Sequence, residues 1–205
     1  MLSNSVDWRV GDKGAGLIRL ASLGLLVPPT LIASDDVPEN APFLDEWLMV
    51  RASVRVHDSG DAMEPSRSSG MWPTYEVRHE DWTAKFLGLL TPECAWVIQP
   101  RARSRKGTVV HADFGVGQLR GVYGDIRGVC SGEPGDFEFD AVLDGESLVT
   151  NVERPSRAAR LFLFALIDEL SSARSRGIEG KWEFEVIHNR GAERPIFVQM
   201  QTLGD

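Results

Sequence analysis

Two oxygen-bearing side chains near the end of the chain have the types and spacing to share a cation. Glu183 lies in KWEFEVIH and Gln199 in PIFVQMQT, segments that alternate in the two-residue period of a strand. Trp182, Phe184 and Val186 point one way, and Lys181, Glu183 and Glu185 the other. Likewise Ile196, Val198 and Met200 oppose Phe197, Gln199 and Gln201. The intervening NRGAE, with Gly191 at its centre, predicts a turn, and pairing 188 with 194 sets Glu183 opposite Gln199 on one face. Directly opposed side chains have Cβ atoms about 4.5–5.5 Å apart. Two oxygens that close can hold a hard cation such as magnesium, whose ligands lie at roughly 2.0–2.1 Å. Spacing alone also describes, and more readily, an amphipathic hairpin whose polar face meets water, and a one-residue slip of register would part the pair.

At the other end, WRVGDKGAGLIRLASLGLLVPPT places Lys13 between Asp12 and Gly14 where a helix begins. Backbone N–H groups and the dipole at a helix N-terminus favour anions, and a lysine there adds a full positive charge. That chemistry suits a phosphate; the alternative is a lysine that only decorates a helix end.

The elements that must position these groups can be read in outline. Residues 13–24 predict a helix with Leu17, Ile18, Leu20, Ala21 and Leu23 on its apolar side, stopped at Gly24. LLVPPTLIAS predicts a proline-interrupted edge strand, APFLDEWL a short helix, and LMVRASVRV a strand. The small, polar HDSGDAMEPSRSSGMWP is a loop, and TYEVRHEDWTAKFLGLL runs from strand into helix. CAWVIQP predicts a buried strand and KGTVVHADF its neighbour, while glycine-broken pieces over 107–150 predict an antiparallel meander. The strongest helix runs from Pro155 or Ser156 to Gly177, with Ala158, Leu161, Phe162, Ala165, Leu166 and Leu170 expected to face the core.

Composition bounds the function. The 205 residues, 42% hydrophobic and 25% charged, suit one ordinary domain or two small lobes. A net charge of −8 argues against nucleic acid held by bulk electrostatics, yet permits a local cationic pocket for an anionic small molecule. No stretch approaches the roughly 20 apolar residues of a membrane span, and the N-terminus lacks a signal-peptide pattern. Cys94 and Cys130 form no metal-knuckle spacing. These features predict a soluble, cytoplasmic, α+β protein with reduced cysteines and no membrane or nucleic-acid partner.

Taken together, the segments resemble the nucleotide-binding domain of the phosphoenolpyruvate synthase and pyruvate phosphate dikinase family. VGDKGAGLIRLASLGLLVPPTLIAS is similar to its glycine-lysine-glycine helix start and VPP strand. MVRASVRVHDSGDAMEPSRSSGMWPTYEV is similar to the arginine-bearing strand end and small-residue loop that follow. AWVIQPRARSRKGTVVHADF is similar to the strand with a glutamine near adenine, and GKWEFEVIHNRGAERPIFVQMQT to the closing hairpin with its metal-binding Glu and Gln. The resemblance implies an ATP-grasp fold, one compact domain with ATP held between two antiparallel-sheet lobes (roughly 1–95 and 96–205). It implies Lys13 and Arg51 on phosphates as catalytic groups, and phosphate contacts from the loop of Ser68, Ser69 and Gly70. It further implies Gln99 beside the base, and Glu183 and Gln199 on magnesium bridging the phosphates of ATP.

Three departures qualify the resemblance. Where the family has an arginine two residues after the hairpin glutamine, this chain has Gln201; where it has an acidic residue two before the glutamate, this chain has Lys181. Arg51 follows Lys13 by only 38 positions (13 to 51), which implies a trimmed first lobe. None of His57, His79, His111 and His188 sits in the context of the family's phospho-histidine carrier, so no carrier domain is expected. The resulting expectation is an ATP-dependent phosphotransferase or ligase acting on an unidentified small molecule or carrier protein, with Glu185 and Asp140 as candidate bases. The alternatives are a nucleotide-binding regulatory protein whose chemistry has decayed, or a subunit completed by a partner chain.

Overall fold

The computed structural model describes residues 11–33, 47–54, 74–81, 94–102, 104–145, 147–189 and 194–203. The chain divides into two compact units, residues 1–18 with 28–101 and residues 19–27 with 102–205. The first helix, α1 (Gly11–Ser22), contributes to both, because the division falls after Ile18.

In the first unit, β1 (Leu31–Ala33), β2 (Trp47–Val54), β3 (Thr74–Arg78) and β4 (Cys94–Pro100) form an antiparallel sheet in the order β1-β4-β2-β3. Leu48, Val50, Ala52, Val77, Trp96 and Ile98 are buried on one face. Register places Met49, Arg51 and Ser53 on the other, with Val97 and Gln99 of β4. Of the proline-bearing stretch only Leu31–Ala33 is strand, and it lies at the sheet edge, where proline's missing N–H does no harm. The short helix expected over 41–48 is corrected at its end: Trp47 and Leu48 already belong to β2, and 41–46 lie outside the described residues.

In the second unit, six strands are ordered β10-β9-β5-β6-β7-β8. They are β5 (Lys106–Asp113), β6 (Gln118–Asp125), β7 (Phe137–Val142), β8 (Leu148–Thr150), β9 (Lys181–Ile187) and β10 (Ile196–Thr202). The meander is therefore observed, with a five-residue helix α2 (Ile126–Cys130) between β6 and β7. The long helix α3 (Arg157–Ser175) starts at Ser156, whose side chain accepts from the Ala159 N–H, and is followed by Gly177 at φ +90°. Its buried face is Ala159, Phe162, Leu163, Leu166, Ile167, Leu170 and Ala173. Ala158 and Leu161, expected in the core, are exposed, because the apolar stripe is rotated toward the 159/163/167 positions. Phe162 meets Tyr123 of β6 at 5.9 Å between ring centres. Phe139, Phe184 and Phe197 are fully buried on the sheet, each contributing about 1.5–3 kcal/mol.

The C-terminal segment of α1 is fastened within this unit. Gly24, at φ +69°, ends the helix with bonds from Gly24 N–H to Ala21 O and Leu25 N–H to Leu20 O, a pattern that needs the left-handed conformation. Arg176 donates to Leu23 O and Arg194 to Gly24 O, so guanidinium groups take up the carbonyls there. Arg194 also forks onto both oxygens of Glu169, which holds its pKa above the ordinary value.

The hairpin of β9 and β10 differs from its expected register. Ile196 pairs with Ile187 and Phe197 with Val186, but Gln199 then pairs with Glu185 and Gln201 with Glu183. Val198 is the extra residue of a β-bulge, which reverses the phase of alternation. Phe197 and Met200 consequently both face the core, whereas alternation had opposed them.

Candidate functional site

Within the first unit, α1 is anchored to β2 by its first turn. The Gly14 N–H in that turn donates to the Oγ of buried Ser53 at 3.0 Å. Half-buried Lys13 adjoins that anchor, and Arg51 lies two residues along β2 on the same face. Arg51 sits inside β2 rather than after it, a correction to the strand-end position expected from the resemblance. Its Nη2 donates to Gln99 Oε1 at 3.0 Å; Gln99 Nε2 donates to Thr30 Oγ1 at 2.9 Å, and Thr30 Oγ1 to Pro28 O at 2.8 Å. Gln99 is only 4% exposed, so this chain satisfies both ends of a buried amide and fixes its orientation. The structure thus gathers Lys13, Arg51 and Gln99 in one unit. Thr30 and Ser53, which join them, have no pattern in the sequence, since their partners lie 69 and 39 residues away. Ser68, Ser69 and Gly70 lie outside the described residues.

Within the second unit, Glu183 stands in a row of polar side chains that crosses the sheet face opposite α3. Register aligns Gln201 (β10), Glu183 (β9), His111 (β5), Arg120 (β6) and Asp140 (β7) on adjacent strands. His111 Nε2 lies 2.8 Å from Glu183 Oε2, and Gln201 Nε2 donates to Glu183 Oε1. Arg120 Nε donates to Asp140 Oδ1 at 2.8 Å, and that bond with the Asp140 charge raises the arginine's pKa.

Glu183 and Gln199 share this face but are not cross-strand partners. The bulge at Val198 and a shifted register set Glu183 against Gln201 and Gln199 against Glu185, a correction to the expected pairing. They become diagonal neighbours, with Cα atoms about 7–8 Å apart and long side chains still within reach. Of the expected bases, Asp140 is engaged with Arg120, and Glu185 faces Gln199. His188 is half-buried, its Nδ1 2.7 Å from Tyr123 Oη and its ring stacked on Phe162, whereas His79 is exposed. His57 lies outside the described residues, which contain no cluster of three or more His, Cys, Asp or Glu placed to hold a metal and no helix long and apolar enough to cross a membrane.

Among solved structures, the chain is similar to a D-alanine–D-alanine ligase from Bacillus anthracis complexed with ATP, at 13% identity and a TM-score of 0.53 over 95% of this chain and 55% of the ligase. The fold is the ATP-grasp. A D-alanine–D-alanine ligase from Coxiella burnetii matches at 11% identity and TM-score 0.52, covering 94% of this chain and 48% of that one. An L-amino acid ligase from Bacillus licheniformis matches at 11% and 0.51, covering 95% and 40%. The ATP-grasp chain described here thus spans about half the length of these ligases. No family model matches the sequence, and no curated protein matches it.

Proposed function

We propose that this ATP-grasp chain binds Mg-ATP and serves an ATP-dependent ligase or phosphotransferase acting on a small molecule or a carrier. The supporting observation is a fold shared with a ligase solved with ATP, carrying half-buried Glu183 on an open sheet face. The order of the sequence blocks favours a relation to phosphoenolpyruvate synthase and pyruvate phosphate dikinase. Lys13 and Arg51 bind phosphate oxygens, with the first turn of α1 adding its N–H groups and dipole. Gln99 holds Arg51 and lies near the base, and Ser68, Ser69 and Gly70 supply further backbone donors to phosphate.

The donor set on the second sheet suits a hard cation: two carboxylates, Glu183 and Glu185, and the amide oxygen of Gln199 share one face. Both Glu183 oxygens accept hydrogen bonds, from His111 and Gln201, which hold the carboxylate on this face. Magnesium needs only one or two protein carboxylates when phosphates and water complete its shell, so a larger acidic cluster is not required. Glu183 and Gln199 would hold it, and when bound it supplies charge neutralisation at the transferring phosphoryl group.

Calorimetric titration with ATP, with and without magnesium, tests this assignment. Lys13→Ala is expected to weaken ATP binding about tenfold or more, the worth of a charge-assisted hydrogen bond. Glu183→Ala is expected to lose the magnesium-dependent part alone. Unchanged binding in both variants would remove the assignment. One observation favours a second function, nucleotide binding without turnover: Gln201 occupies the family arginine's place and is engaged with Glu183. Tight ATP binding with no phosphate release or phosphoryl transfer to any candidate acceptor or partner would favour it.

A further inference from the structure

We propose that His111 and Gln201 are positioning residues that clamp the Glu183 carboxylate from the two neighbouring strands and so present it to the cation of Mg-ATP. This rests on the metal role of Glu183 proposed above. His111 is directly opposite Glu183 across β5 and β9, and Gln201 directly opposite it across β10. Each reaches a different carboxylate oxygen. An ionised carboxylate only accepts, so both contacts are donations, and His111 carries its hydrogen on Nε2. Two donors from opposite sides fix the rotation of the carboxylate plane, which one donor would leave open. Such outer partners orient a ligand and set how well it meets a metal.

The neighbouring charges fit this role. Arg120, farther along the row, is bonded to Asp140, while the imidazole and the amide meet Glu183. A neutral amide orients a carboxylate without cancelling its charge, whereas an arginine at 201 would compete as a cation. Gln201 therefore belongs with His111 as one arrangement around Glu183. The bulge at Val198 makes it possible: continuing the Ile196–Ile187 register would set Met200 against Glu183.

The test compares His111→Leu, Gln201→Leu and His111→Gln with wild type by calorimetric ATP titration, with and without magnesium. The His111 side chain is 51% accessible, so its variants are expected to fold; Gln201 is half-buried, and thermal unfolding verifies the fold of each variant. Each leucine variant is expected to weaken magnesium-dependent binding about tenfold and leave magnesium-free ATP affinity unchanged. His111→Gln, which restores a donor, is expected to recover most of the loss. Wild-type Mg-ATP affinity in both leucine variants, or equal losses with and without magnesium, would overturn the proposal while leaving the metal role of Glu183 intact. Magnesium dependence unchanged in Glu183→Ala would overturn both together.

Discussion

At the scale of single residues, close backbone approach constrains the site as firmly as its polar groups do. Gly107 of β5 lies opposite Ile187 at the end of β9, and a Cβ there would stand 2.4 Å from the Val186 carbonyl oxygen and 2.9 Å from Ile126 Cδ1. The oxygen belongs to the partner strand and cannot rotate away. Gly107→Ala is therefore expected to lower stability by about 1–3 kcal/mol, as overpacking does, read from the midpoint of urea unfolding. Gln99 illustrates the other half of residue-scale design. Its type was visible in WVIQP, and the resemblance set it beside the base, but its bonds to Arg51 and Thr30 depend on strand pairing and on a residue 69 positions earlier. Nothing local in the sequence encodes those partners.

Elements carry the contrast between periodicity and packing. The boundaries of α3 were legible because Ser156 and Gly177 have physical roles at helix ends. Its buried face was legible only in part, since so many of its residues are apolar that several stripes compete. Leu166 is fully buried and Leu161 is 60% exposed, although both were expected inside. Leu166→Ala is expected to cost about 2–5 kcal/mol, and Leu161→Ala to stay within about 0.5 kcal/mol, both measured by denaturant unfolding. Equal losses would contradict the observed face. The hairpin shows the same limit more sharply: alternation identified both strands, and β9 follows it throughout. In β10 a single inserted residue shifted every partner beyond Phe197, and no composition signal marks Val198 as that residue.

For the whole molecule, the fold was reachable from the order of weak sequence blocks, whereas the pairing of β5 with β9 was not. That pairing joins segments some 70 residues apart and creates the contact between His111 and Glu183. The bulge in β10 also bears on how one copy of the chain meets another. Among the described strands β10 ends the six-stranded sheet, and its Phe197 N–H already donates to Leu26 O. An extra residue breaks the even spacing of backbone groups that a foreign strand would need to extend the sheet. Deleting Val198 would straighten that border while leaving Phe197 opposite Val186 and Met200 opposite Phe184, both toward the interior. The deletion variant is expected to scatter light and elute as large species under conditions where the parent chain stays dispersed. A kink placed for coordination would then double as a guard against self-association, letting the protein keep an open polar face without inviting its own copies to pair along it.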